Sequence, residues 1–508
     1  MRQHLNVTIL ALAVILAGIV LLARVPVQAA APDPAPAPHT EATPASLYPS
    51  PNDRIGVGLV YAIGDITSYD VAQLEAGWFA DWFSRLSPPH PNGIDYVPVI
   101  AVDGANYPPN WDAIAARAQR NPGSLWLIGN EQEATYQGNL TPAQYAQIYH
   151  DSYYQVKAAD PTAKVAVGGV ILPSPLRLQW LDRTLAEYQT RYGEPMPVDV
   201  WNTHMQIVNE VSCLYDPGNC WGAEIPAGLT ATTGITMVLT DNANFDLFVR
   251  LLRDMRTWMN DRGFRDKALI ISEYGVLLPS TYICDCGDET VGNAIVASFM
   301  TRTFEYMLNT VDANLGYPAD GNRLVQRWMW YTLNDQPYNF DTGEGFNGGL
   351  FNWKDNVFPG TLTYFGQVFK SFVPPLKVLY RDLFPTELTS TAQGGGQYAL
   401  AVTVRNSGNT AASNVKVRLY AGNPAAGGVQ VGSDATIPSL GIRYSTPGVA
   451  VFTWSRAPEV VQQIFYVVVD PDNAISESDE INNRASYNIR YMTYTYHIML
   501  PVILKNLP

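Results

Sequence analysis

Charge is scarce in this chain. Only 15% of its 508 residues are Asp, Glu, Lys or Arg, against roughly 25% in an average soluble protein. Cations are scarcer still: 32 Lys and Arg face 46 Asp and Glu, for a formal charge of −14. Such a surface repels phosphate backbones, so nucleic acid is excluded as the main partner, whereas a neutral carbohydrate meets no such barrier. There are six His and four Cys, and no His falls at ligand spacing beside a Cys, which argues against a thiolate metal site. The sequence has no His-Glu-x-x-His, no Gly-x-Ser-x-Gly and no phosphate-binding glycine loop, so zinc proteolysis, esterase chemistry and nucleotide use lack their usual residues. Neither a cofactor nor a metal is expected.

Long apolar runs are also rare. The one at 7–23 follows Arg2 and precedes the small residues Val27-Gln28-Ala29, the layout of an export signal over 1–30. Its 17 residues reach the lower limit for crossing a bilayer, ~17 to 25, so a cleaved signal peptide and a retained anchor both fit. An extracellular or cell-surface protein is expected, attached to a membrane, if at all, through this segment. The Pro/Ala-rich stretch 31–51 reads as an extended spacer. In an oxidising compartment the cysteines should pair. Cys213 with Cys220 closes a short loop, Cys284 with Cys286 closes a tight ring, and cross-pairing between the two loops is the alternative.

What the chain does have is hydrophobic mass, 47%, with 12 Trp and 29 Tyr. Its length suits about three ordinary domains at ~150 residues each, or a barrel of ~250 plus one more. Over 52–375, eight short apolar segments alternate with helical patterns, at 55–60, 77–82, 95–100, 124–129, 164–169, 198–203, 268–272 and 325–330. Helices are expected at 141–160, with Thr141 as N-cap and Pro142 at the first helical position, and at 246–261. Eight strand-helix units predict an α/β fold, a (β/α)8 TIM barrel, with its chemistry at the carboxyl ends of the strands. From 385 to 495 the texture turns to Thr/Val/Gly-rich alternation, which predicts an all-β, immunoglobulin-like sandwich. The tail 496–508 is a final strand or a sorting element. A monomer is expected.

Two carboxylates stand on the predicted catalytic rim: Glu131 in Gly129-Asn130-Glu131 after the fourth strand, and Glu273 in Ser272-Glu273-Tyr274-Gly275 after the seventh. Glycoside hydrolysis needs one carboxyl to protonate the leaving oxygen and a second to attack or to activate water, about 5 to 5.5 Å apart for retention. Such a pair predicts cleavage of O-glycosidic bonds in a β-linked polysaccharide or oligosaccharide. A lone Glu after an apolar strand is ordinarily a solvated loop residue; two at these strand ends are not.

The Asn-Glu after strand four and the Glu after strand seven resemble the clan-A retaining glycoside hydrolases. That resemblance implies Glu131 as acid/base, Asn130 as ligand of the sugar 2-hydroxyl and Glu273 as nucleophile. Trp330, ending strand eight, matches the place where such enzymes often carry a sugar-stacking Trp, while Trp328 reads as barrel filling. Glu131 should then be kept protonated and Glu273 charged, with Tyr274 or a residue of strand six donating to Glu273. Clan members often place a Tyr there; this chain has His204 instead, a packing histidine or a site residue. Glu133 rivals Glu131 as the acid. Trp78, Trp82, Asp103 and Asn106 are further substrate-binding candidates. The spacing of these segments is similar to that of family-128 endo-β-1,3-glucanases, with family 39 and family 5 sharing several marks.

The last quarter resembles the bacterial adhesion-related CARDB modules, through Asn406-Ser407-Gly408-Asn409, Val469 to Asn473 and Glu477 to Asn483. This implies an appendage for adhesion or positioning. The acidic 470–483 loop offers hard oxygens to Ca²⁺ but without helix-loop-helix spacing, so a capped turn is the plainer reading. The rival function is a non-catalytic glycan-binding or adhesion protein built on a hydrolase-like barrel.

Overall fold

A computed structural model describes residues 47–104, 107–353 and 361–491. The expected export segment, most of the spacer, Asn106 and the C-terminal tail lie outside them. Among the described residues no helix is long and apolar enough to cross a membrane.

Nine parallel strands form one sheet: β1 Ile55–Gly58, β2 Trp78–Ala80, β3 Asp95–Tyr96, β4 Val99–Ile100, β5 Leu125–Asn130, β6 Lys164–Gly169, β7 Val200–His204, β8 Ala268–Tyr274 and β9 Arg327–Trp330. The order β3-β2-β1-β9-β8-β7-β6-β5-β4 places consecutive strands at its two ends. β3 pairs with β2 through Trp78 and Asp95, and β4 pairs with β5 through Val99 and Leu127. Both ends belong to one extended segment, interrupted where Pro98 has no N–H to give. The sheet is therefore a closed ring of eight staves, the TIM barrel expected.

Around it stand α1 Trp111–Arg120, α2 Pro142–Ala159, α3 Pro175–Tyr192, α4 Phe245–Asp261, α5 Ser280–Ile283, α6 Glu289–Asn309 and α7 Tyr364–Phe372. The α2 start follows from sequence: the Thr141 side chain accepts from the Gln144 N–H, the Gln144 side chain reaches back, and Pro142 costs no helical hydrogen bond. Two apolar layers result. Trp78, Ala80, Val99, Leu127, Ala166, Ile270 and Met329 fill the barrel interior, and the larger layer, with Trp126, Trp201, Trp328 and Trp330, lies between strands and helices. Each fully buried large side chain contributes about 1.5–3 kcal/mol.

The C-terminal part is a sandwich of antiparallel strands. β10 Leu383–Gly394, β11 Gln397–Asn406 and β15 Gly448–Ser455 form one sheet; β12 Ala412–Ala421, β13 Val429–Gln430, β14 Ala435–Leu440, β16 Gln462–Val469 and β17 Arg484–Arg490 form the other. Alternate residues such as Leu400, Val402, Val417, Leu419, Phe465 and Val467 make its core. The acidic loop is a hydrogen-bonded turn: Asp470 accepts from the Ile475 N–H, Glu477 from Leu383 N–H and Asn483.

The sandwich is fastened to the barrel floor. Asp53, just before β1, accepts from Arg443 and from the Tyr380 hydroxyl; Asp95, opening β3, accepts from the Tyr444 hydroxyl and from Arg327. The Tyr444 ring stacks on His90 at 3.7 Å. These are the amino ends of the strands, opposite the end where Glu131 and Glu273 sit. The cysteines pair within their own loops, Cys213 with Cys220 and Cys284 with Cys286.

Candidate active site

Glu131 owes its position to a turn. The chain leaves β5 with Gly129 at φ +96° and Glu131 itself at φ +45°, a left-handed conformation that costs a non-glycine residue roughly 1–2 kcal/mol. The turn is held by the Glu131 N–H on Gly169 O at 2.9 Å and by the buried Gln132 amide on Gly168 O at 3.2 Å. It swings the carboxylate over the barrel mouth, where Glu131 remains 6% exposed.

Glu273 comes from β8, where a bulge between Ile271 and Tyr274 breaks the alternation, so that Ile270 and Glu273 both turn inward while Ile271 and Tyr274 turn outward. It is 9% exposed. Its Oε1 accepts from Gln206 Nε2 at 3.1 Å, and the Trp82 side chain is a second donor. Between the two carboxylates lies His204, the last residue of β7, fully buried, with Nδ1 3.0 Å from Glu131 Oε1. Its ring fits because Gly169 has no side chain: a Cβ there would fall 2.2 Å from His204 Cδ2. An oxygen of Glu131, an oxygen of Glu273 and a ring nitrogen of His204 all lie within 4.8 Å of one another. Among the described residues this is the one cluster at metal-ligand spacing. It could hold a divalent cation, although Nδ1 is already engaged with Glu131.

The pair opens into a cleft of about 690 Å³. Asn130 and Asp103 line it, as do Trp82, Tyr136, Trp221, Tyr331 and Phe346. Asp103, Glu131 and Glu273 line it, no Lys or Arg among the described residues does, and the fourth acidic lining residue, Asp81, engages its buried carboxylate with Arg85 and Tyr96.

Burial pushes Glu273 up to about 7, reinforced by the like charge of Glu131 and opposed by His204, Gln206 and Trp82. For His204, burial works against protonation, but the carboxylates of Glu273 and Glu131 outweigh it and raise the imidazole above its ordinary value. Glu273 is thus not simply held charged as expected: the donors to it offset only part of its desolvation.

Three expected sugar contacts lie elsewhere. Trp330 is fully buried, donates to Gly348 O at 2.9 Å and meets Tyr274 edge-on at 5.5 Å in the layer outside the barrel. Tyr274 is buried beside it with its hydroxyl 3.1 Å from Thr303 on α6, so it is no donor to Glu273. Trp78 fills the barrel interior, donating to Arg54 O at 3.1 Å. Trp328 faces the helices too, since β9 turns Met329 inward and its neighbours outward. By that alternation the aromatic reaching the cleft is Tyr331, whose ring lies 5.7 Å from Trp82. The strand pattern could have indicated it.

Glu133 is sealed in. Its Oε1 takes the Ile171 N–H at 2.9 Å and Arg177 Nε at 2.8 Å, and Arg177 also binds Glu210. It ties loops together beneath the cleft and reaches no substrate. Gln206, two residues past β7, carried no sequence signal. Trp82 has an unusual backbone, φ +60°, and its indole rests over Gly58, where a Cβ would lie 3.0 Å from it.

A family model described as CARDB matches residues 381–487. No curated protein matches the chain. Among solved structures, the chain is similar to a GH128 (subgroup II) endo-β-1,3-glucanase from Sorangium cellulosum, with 17% identity, a TM-score of 0.39, and 63% of this chain and 98% of that one covered. It is similar to a GH128 (subgroup III) curdlan-specific exo-β-1,3-glucanase from Blastomyces gilchristii in complex with glucose, with 16% identity, a TM-score of 0.39, and coverage of 63% and 99%. It is also similar to a glucosidase from Croceicoccus marinus, with 11% identity, a TM-score of 0.40, and coverage of 79% and 95%.

Proposed function

We propose that the chain is a retaining glycoside hydrolase acting on an uncharged β-linked polysaccharide. The observation that carries this reading is the convergence of Glu131 and Glu273, from strands on different sides of the barrel, to within 4.8 Å in an open cleft. That spacing suits direct attack and leaves too little room for the water an inverting pair places between them, which needs about 6.5–9.5 Å. The acidic, cation-free lining disfavours anionic sugars.

In the first step a Glu273 oxygen attacks the anomeric carbon while the glycosidic C–O bond breaks and the leaving oxygen takes a proton from Glu131. In the second, Glu131 takes a proton from water, whose oxygen displaces Glu273 and frees the sugar with its configuration retained. The Glu131–His204 hydrogen bond steadies the Glu131 carboxyl at the mouth. Gln206 and Trp82 take up the charge that returns to Glu273 when the ester breaks. Asn130, at the lip beside Glu131, is placed to meet a sugar hydroxyl.

Export of the protein and its display outside the cell are part of the same proposal, supported by the 7–23 run, the two paired-cysteine loops and the CARDB match. The test is to screen purified protein on β-glucans, mannans and xylans and to follow the first product by proton NMR. Release of the β-anomer before mutarotation is expected. Release of the α-anomer, or no cleavage on any polymer, removes the proposal.

A further inference from the structure

A second depression of about 310 Å³ lies beside the cleft. The wall between them is one side chain thick: Phe346, 43% exposed, lines both. Asp335, on the far side, accepts from the hydroxyl of Tyr331, whose ring lines the near side. Its rim bears Phe340 and Tyr364, 60% and 52% exposed, an expensive display of aromatic area for a surface with no partner.

The rim is rigid. Residues 339–346 form a tight hairpin, with Asn339 N–H on Glu344 O at 2.7 Å and Phe346 N–H on Gln336 O at 2.8 Å, and the Phe340 ring is propped edge-on by Tyr338 at 5.2 Å and Tyr282 at 5.8 Å. The floor is polar. Asn347 Nδ2 donates to Ser280 Oγ at 3.0 Å, and Ser280 donates to Asn293 Oδ1 at 2.6 Å. These bonds leave Asn293 Nδ2 as donor and Asn347 Oδ1 as acceptor. Aromatic faces above fixed amides match a pyranose, with C–H faces to stack and hydroxyls that both give and take hydrogen bonds.

We infer that this depression is a distal sugar-binding site, holding an uncharged polysaccharide chain that leaves the catalytic cleft across Phe346. The inference rests on the hydrolase reading, and it makes the substrate a chain spanning both depressions. Binding at the second site adds to retention of polymer and nothing to a fragment that fills the cleft alone.

The experiment uses full-length protein carrying Glu273→Gln to stop turnover. Its retardation is measured in gels containing a soluble β-1,3-glucan, a mixed-linkage β-glucan, a glucomannan or a xylan, and its affinity for the matching trisaccharides is measured by titration. Adding Phe340→Ala with Tyr364→Ala should weaken binding of the retained polymer tenfold or more and leave the trisaccharide within twofold. The control Tyr154→Ala, an exposed ring on α2, should change neither. Undiminished polymer binding, equal loss of polymer and trisaccharide, or no retardation in any gel would overturn the inference. Wild-type turnover judges the hydrolase reading separately: a protein that is retained through Phe340 and Tyr364 but cleaves nothing keeps the site and loses the catalysis.

Discussion

The two ends of the barrel both bury charge, and they treat it in opposite ways. On the floor three carboxylates each meet a cation: Asp53 meets Arg443, Asp95 meets Arg327, and Asp320 meets Arg54. Burial alone would raise Asp95, yet Arg327 and the Tyr444 hydroxyl bring it below the ordinary carboxylate range. At the mouth, Glu131 and Glu273 share one titratable imidazole, and burial wins at Glu273. Among the described residues, the buried His204 Nε2 and Gln206 Oε1 have no hydrogen-bond partner. Trp82 and Glu131 both hold left-handed backbones. The floor is arranged for stability; the mouth keeps strain and uncompensated charge where a reaction can use them.

That contrast can be broken most sharply at Glu273. Glu273→Ala should lower kcat on the responsive polymer by about 10⁴-fold or more, with the urea unfolding midpoint unchanged or raised because a desolvated charge is gone; equal turnover in both proteins would remove Glu273 from the mechanism. Asp53→Ala should do the reverse, costing about 3–5 kcal/mol by stranding Arg443 while kcat stays within twofold. A drop in kcat at constant stability would show that the two ends are not independent.

Titration sharpens the same difference. Glu273 binds its proton more tightly folded, at about 7, than unfolded, at about 4.5, so folding stability falls as pH rises through that window. His204, also raised, adds a fall beginning above about 6.5. Asp95, lowered, contributes stability that is present above about 3.9 and lost as pH drops through its folded value. Unfolding free energies should therefore decline in the wild type between about pH 4.5 and 7.5, with Glu477, which burial also pushes up to about 7, adding to the fall, and Glu273→Gln should make the decline shallower; an unchanged slope would detach it from Glu273. The smallest effect is expected from Trp82→Phe, which keeps a ring over Gly58 and removes the indole N–H. It should reduce kcat/KM about tenfold, near the net value of one hydrogen bond to a charge, and move the acid limb of the pH profile upward. A loss of activity with an unmoved limb would assign Trp82 to packing alone.

Much of this was legible in the sequence because strand and helix periods report directly on burial. The eight staves, Thr141 as cap, and both carboxylates at their strand ends follow from apolar spacing alone. Trp330 shows the limit of that reading. The two-residue alternation of β9 is visible, but which set faces inward depends on the ring closing through the 95–100 segment, and the sequence reading chose the wrong set by one residue. His204 stands at the rim as its position suggested, but, expected to bind substrate, it is fully buried behind the cleft lining and meets Glu131, while Gln206, a donor to Glu273, arrives from beyond the end of β7. The cysteine pairing was open for the same reason, since it turns on loop proximity. Glu133 rivalled Glu131 in sequence because an extended chain would turn both to one side, and the left-handed turn at Glu131 separates them.

The floor contacts through Tyr444, Arg443 and Tyr380 fix the direction in which the molecule works. With the sandwich clamped beneath the staves, whatever bound this module would meet the amino ends of the strands, and the mouth with Glu131 and Glu273 would face away from it.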